Sequence, residues 1–309
     1  MAQNAQNPSK LRVRGCDLFL LEKWEADSPQ SPDEQMAQIF ARFLELPFSE
    51  RQAYAQQVTD RNVRIAERLP QAEQDILVLA RPYNERNTAD VVWLRTYYGP
   101  GSDDAFAAIL EACKGHLPLV GMGAPGFDYL FSDAARYDYG DAWQRVFGRM
   151  PQLLEYAGPG DYEAKRATTL AEGQEWERGD KERVEEDGGE WPEDAMYLGV
   201  LYNYYHLASK VGIIYVLDKE TLGEDEEGED VSHDDRQLLA AWYDPDGKTV
   251  RWQRMSGDEV CEHMAVINSA SIDDHPIWTE AEIGEDYDWD GPLGPPSIAE
   301  DGGNEGDED

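Results

Sequence analysis

Basic residues are scarce: the chain holds 27 Lys and Arg against 64 Asp and Glu, a formal net charge of −37. Nucleic acid is therefore a poor partner, because affinity for a polyphosphate rests on cations that displace its counterions. Cysteine is rarer still. Cys16, Cys113 and Cys261 are odd in number and far apart, so they supply neither a disulfide framework nor a cysteine-based zinc site. A reducing compartment is the simple expectation. No apolar stretch reaches the length of about 20 residues that crosses a bilayer, which argues against a membrane partner. Met1-Ala2-Gln3-Asn4 lacks the basic and apolar regions of a secretory signal, and Ala2 excludes myristoylation. The expectation is a soluble intracellular protein, cytoplasmic or nuclear.

Apolar residues are plentiful. They make up 41% of 309 residues, with 9 Trp and 16 Tyr, enough for a real core and about two domains. The negative charge is unevenly spread. Residues 224–235 hold eight acids and residues 280–309 hold twelve, with no Lys or Arg in either. A loop and a tail thus carry 20 of the 37 excess charges. Residues 280–309, with Pro292, Pro295 and Pro296, read as a disordered acidic tail.

Residues 1–15 read as disordered, and three helices are expected over 16–70. Leu18, Phe19, Leu20, Leu21 and Trp24 give a short first helix, broken at Ser28-Pro29. Ser31 is an N-cap, Pro32 takes the first helical position and Glu34 completes a capping box. Met36, Ile39, Phe40, Phe43 and Leu44 then line one face. Pro47 stops that helix, Ser49 caps the next, and Tyr54, Val58, Ile65 and Leu69 line it.

This segment resembles an HMG box. The likeness runs from Phe19-Leu20-Leu21-Glu22-Lys23-Trp24, through the second helix, to Phe48-Ser49-Glu50-Arg51-Gln52-Ala53-Tyr54 and Asp60-Arg61-Asn62-Val63-Arg64. It implies a three-helix shape. The basic N-terminal strand of that family is reduced to Lys10, Arg12 and Arg14, and residues 1–70 carry nine bases against ten acids. DNA binding by such a domain needs phosphate neutralisation and an apolar wedge, so the charge argues against it.

Residues 71–279 read as a mixed α/β domain with acidic loops at 158–194 and 223–235. Its centre is residues 211–217, Val-Gly-Ile-Ile-Tyr-Val-Leu, apolar on both faces and so expected to be covered on both sides. Further strands are expected at 75–80, 90–97, 117–120 and Leu238–Tyr243, the last returning through Asp244-Pro245-Asp246-Gly247 into 248–254 as a hairpin. Helices are expected after Ser102, around Trp143–Met150, over 162–178 and after Ser256. The periodicity of 195–209 fits helix or strand. The fold class is α+β.

Parts of this region resemble an uncharacterised family of small bacterial proteins, a domain of unknown function. They are Val92-Trp93-Leu94-Arg95-Thr96-Tyr97 with Asp103-Asp104-Ala105-Phe106; Tyr215-Val216-Leu217-Asp218-Lys219-Glu220-Thr221-Leu222; the hairpin; and residues 264–273, which include Asn268 and Asp273. The resemblance implies a small α/β fold and no activity. It points to a ligand site near the strand ends, at Arg95, Thr96, Asp218, Asn268 and Asp273.

Other motifs carry less. Gly121, Gly123 and Gly126 spell G-x-G-x-x-G, but no helix pattern follows, so a glycine-rich turn is the simpler reading. Asp286, Asp288, Asp290 and Gly291 match half of an EF-hand loop, but its twelfth position is Ser297. Cys261 and His263 have no second pair. No metal, cofactor or catalytic residue is implied. Lys248, Arg251 and Arg254 are the densest cations of the second domain; they suit a phosphate or carboxylate, or equally the acids of 224–235. The acidic tail offers a surface to a basic protein partner, though solubilising disorder is the simpler reading. The sequence thus favours a binding or regulatory protein acting through protein–protein contact. The alternatives are an HMG-like chromatin protein and an enzyme, the latter favoured if His206, Asp218 and Arg251 share one pocket and disfavoured if they are dispersed.

Overall fold

The computed structural model describes residues 13–60, 69–80, 92–116, 130–155, 161–188, 196–223, 236–257, 259–260, 263, 276–288 and 290–293. Within them the chain is α+β, as the sequence implies. The expected strand at 117–120 and the three motif glycines lie outside the described residues, as do 224–235 and 294–309.

The N-terminal helices begin where their caps place them. They are α1 (Gly15–Lys23), α2 (Pro32–Leu44) and α3 (Phe48–Asp60). Ser31 accepts from the Glu34 amide, and Glu34 accepts from the Ser31 amide at 2.9 Å. Met36, Ile39, Phe40 and Phe43 of α2 pack with Phe19 and Leu20 of α1. A Cβ on Gly15 would stand 2.6 Å from the Ala55 nitrogen, so α1 and α3 approach as only glycine allows. Val13 is buried and α1 starts at Gly15, so the expected N-terminal disorder does not extend to residue 15.

Residues 75–80 are helix, not strand: they close α4 (Gln71–Ala80). Gln71, Ala72, Glu73 and Gln74 are strong helix formers just after Pro70, and the helix they open continues through the apolar run. Leu77 enters the core of the first three helices. The helical module thus gains a fourth member, and the sheet lacks an expected strand.

The sheet comprises β1 (Val92–Arg95), β2 (Leu130–Phe131), β3 (Gly212–Leu217), β4 (Leu238–Tyr243), β5 (Thr249–Met255) and β6 (Glu282–Ile283), in the order β2-β1-β3-β4-β5-β6. β1 is parallel to β2 and β3, and the remaining pairs are antiparallel. Ile214, Tyr215, Val216 and Leu217 of β3 are all 0% exposed, so the central strand is covered on both faces. Tyr215 and Leu217 face α5 (Ser102–His116) through Ala105, Ile109 and Cys113. Ile214 and Val216 face Trp143, Val146, Phe147 and Leu154. Those four lie on two 3₁₀ turns, Trp143–Gly148, within the helix expected around Trp143–Met150, and Pro151–Leu154. Pro151 has no N–H and its ring clashes with the carbonyl four residues back, so an α-helix cannot run through it.

Short α6 (Ala134–Tyr137) precedes these turns. α7 (Tyr162–Glu186) runs further than the expected 178, and α8 (Met196–Ser209) resolves the ambiguous segment as helix. A Cβ on Gly173 of α7 would lie 2.7 Å from that of Tyr204, which marks the close contact of the two. α9 (Lys219–Leu222) follows β3 directly, and α10 (Pro276–Thr279) precedes β6.

The expected disorder from 280 onward is corrected over 280–288 and 290–293. β6 pairs with Arg251 and Trp252 of β5, and the buried Tyr287 donates its hydroxyl to Asp244 at 2.8 Å. The acids of this stretch occupy positions between inward-facing ones. Ala281 and Tyr287 are buried and Ile283 packs against the cluster of Tyr287, while Glu282 is exposed. Composition alone hid that spacing.

Two polar contacts tie the helices to the sheet. Glu155, beside the second 3₁₀ turn, accepts from the Gly15 amide at 3.1 Å and the Cys16 amide at 2.7 Å. These are first-turn donors with no acceptor inside α1, at the end of a helix that favours a negative charge. Arg51 of α3 is buried and donates to the Pro245 carbonyl at 2.7 Å and to the Asp246 carboxylate, gripping the hairpin turn.

Candidate functional site

The residues expected to form a site divide into separate groups. Arg95 is buried. It donates to the Tyr97 carbonyl, Ser102 and Asp103, and its guanidinium lies 4.5 and 4.7 Å from the ring centres of Tyr98 and Phe106. It fastens β1 to the start of α5. Thr96 is fully buried; its amide bonds to the Leu217 carbonyl, and its hydroxyl has no partner among the described residues. Asn268 and Asp273 lie outside the described residues.

Arg251 and Arg254 point to opposite faces of the sheet. Arg251 is in register with Trp242, on the side of α5, and Arg254 with Leu239, on the side of the 3₁₀ turns. Arg251 is buried and donates to His206 Nδ1 at 3.0 Å, to the Trp278 carbonyl at 2.8 Å and to Asn203 Oδ1. A guanidinium only donates, so Nδ1 accepts and the neutral His206 carries its proton on Nε2. Burial, with the Arg251 charge beside it, pushes His206 down to about 3. Burial also pushes Arg251 down to about 10. No carboxylate pairs with Arg251 among the described residues. His206 and Arg251 thus meet, but Asp218 joins Arg254 instead, so the three do not cluster in the one pocket that would favour the enzyme reading.

Asp218 caps α9 by accepting from the Thr221 amide and hydroxyl, at 3.0 and 2.8 Å. Arg254 grips it with two bonds of 2.9 and 2.7 Å and also reaches Glu220 at 2.8 Å. Burial raises the Asp218 carboxyl, but the bonds and charge of Arg254, with those of Thr221, outweigh it and leave the group below its ordinary value. The folded state thus binds this proton less readily than the unfolded chain. The resulting stability is complete above the ordinary carboxylate range and is lost as pH falls through it. Asp218→Asn is expected to cost about 1.5–3 kcal/mol at neutral pH, with a deficit that shrinks on acidification. Urea unfolding at two pH values checks this.

The Arg254 side of the sheet carries an open cleft of ≈ 1130 Å³. Its floor includes Leu239, Ala241 and Trp252, with Trp143 from the first 3₁₀ turn. Around them stand seven carboxylates: Asp141, Asp218, Glu220, Glu280, Glu282, Glu285 and Asp286. The two cations in the cleft, Arg254 and Lys248, are already paired, the latter with Asp286 at 3.2 Å. The hairpin brings Trp252 and Arg254 here, and β6 sets Glu282 opposite Trp252. Such a cleft can hold cationic groups at its rim and their aliphatic stems on its floor.

Of this cleft, Asp218, Lys248 and Arg254 are legible in the sequence as candidate binding residues. The composition of 280–309 places Glu280, Glu282, Glu285 and Asp286 in a tail, whereas the spacing of Ala281, Ile283 and Tyr287 signals structure. Among the described residues, no group of three His, Cys, Asp or Glu is placed to hold a metal ion, and no helix is long and apolar enough to cross a membrane. No protein-family model, curated protein or solved structure matches the chain.

Proposed function

We propose that the chain is a binding protein whose acidic cleft receives a lysine- or arginine-bearing segment of a partner protein. The observation that carries this reading is the charge of the cleft: seven carboxylates meet two cations, and both cations are already paired. A basic side chain entering the cleft meets carboxylates left without a partner cation there and an apolar surface that accepts its stem. The expected acidic tail would extend the same preference outward.

The chromatin alternative needs accessible cations on the helical module. Arg51, part of the HMG-like likeness, is instead 3% exposed and committed to the hairpin. The test is a titration of the full chain with a lysine-rich peptide, followed by tryptophan fluorescence. Saturable binding is expected, weakened by replacing Glu282 and Glu285 together with Gln. Equal binding by the double variant, or by a peptide with Glu in place of Lys, would refute the cleft as the site.

A further inference from the structure

We propose a second site, for a small phosphate dianion, in a pocket of ≈ 460 Å³ formed by α6 and the Trp143–Gly148 turn. Its charge is opposite to that of the chain. Arg136, Arg145 and Arg149 line it, with Asp138 as its one carboxylate.

The arginines are set on a fixed frame. Asp133 caps α6 by accepting from the Ala135 amide at 3.0 Å and holds Arg136 at 3.3 Å. Tyr137, Val146 and Phe147 are buried in the core beneath, and the Gly140 amide bonds to the Thr96 carbonyl at 3.0 Å. The Arg145 guanidinium lies 5.2 Å from the ring centre of Tyr139, and Arg149 bonds to the same tyrosine. Tyr139 thereby sets both guanidinium groups at the pocket. Among the described residues, neither Arg145 nor Arg149 has a carboxylate partner, although the chain has 64 acids. Had these arginines served only to neutralise the surface, partners would have been abundant.

Guanidinium forks match the oxygens of a tetrahedral oxyanion, and Arg145 and Arg149, with Arg136 shared by Asp133 and with Asp138 alongside, leave a pocket of net positive charge for it. An extended polyanion does not fit, because beyond the pocket it would meet a chain of net charge −37. Inorganic phosphate and a phosphate monoester share the required chemistry.

The test is calorimetric titration of the full chain with inorganic phosphate and, separately, with O-phosphoserine, at fixed ionic strength. Saturable binding of at least one is expected, and the tighter of the two identifies the source. Arg145→Ala and Arg149→Ala are each expected to weaken it about tenfold or more. Arg178→Ala, an exposed change on α7, should leave it unaltered. Both positions in the pocket are exposed, and circular dichroism verifies that their variants fold. Absence of saturation at millimolar concentrations, or equal weakening by Arg178→Ala, would overturn the proposal.

Discussion

Arg251→Ala is expected to destabilise the protein by about 3–5 kcal/mol, the range for breaking a buried charged network. The residue is 4% exposed, and its guanidinium binds acceptors from two helices: His206 and Asn203 of α8, and the Trp278 and Thr279 carbonyls of α10. A fifth bond goes to the Ala281 carbonyl ahead of β6. The last carbonyls of a helix have no N–H to receive within it, so Arg251 supplies what α10 lacks. Alanine leaves these acceptors buried and removes the cation from the face of Trp278. Lysine should recover only part of the loss, since one ammonium cannot reproduce a planar fork. Urea unfolding with an unchanged slope checks the magnitude. A cost below about 1 kcal/mol would show that the network does not hold α10 and β6 in place.

Glu155→Ala is expected to cost about 2–3 kcal/mol and to loosen the helical module from the sheet. The carboxylate serves two amides at the start of α1, and no other acceptor for them exists within the helix. Burial pushes this carboxyl above its ordinary range, while Arg14 and the Cys16 and Gly15 amides pull it part of the way back. The sign is therefore opposite to that of Asp218. The folded state binds this proton more readily than the unfolded chain, so the contribution of Glu155 is complete below the ordinary carboxylate value and declines as pH rises from there through its raised folded value. The deficit of the alanine variant should narrow over the same interval. Amide exchange in α1, measured beside global unfolding, separates a loosened module from a general loss. Unaltered exchange in Gly15–Lys23 would contradict the latch.

Much of the fold was legible because hydrophobic period and local chemistry agree. The capping box at Ser31, the turn at Asp244-Pro245-Asp246-Gly247 and the two-faced β3 each combine a pattern with a mechanism. Gly247 adopts φ of 80°, and Asp244 accepts from the Asp246 and Lys248 amides at 2.8 and 2.9 Å. Residues 75–80 misled because six apolar-rich residues fit either element, and their helical start lay in the four residues before them. The cleft was hidden for a different reason. Its acids come from Asp141, from Asp218 and Glu220, and from 280–286, stretches brought together only by the sheet order. Asp218 and Arg254 were individually visible, but not their bidentate pairing, which depends on the register of β4 and β5. Arg251 and Arg254 look alike in sequence, yet three residues of strand place them on opposite faces.

The most direct test of the acidic cleft is the salt dependence of lysine-rich peptide affinity, for the native chain and for a variant with Asp141, Glu282 and Glu285 all changed to their amides. Binding to carboxylates at the cleft rim predicts that affinity falls with added salt and that the variant binds more weakly with a shallower dependence. The same affinity and the same slope in both proteins would place the binding elsewhere on the chain and contradict the proposed function.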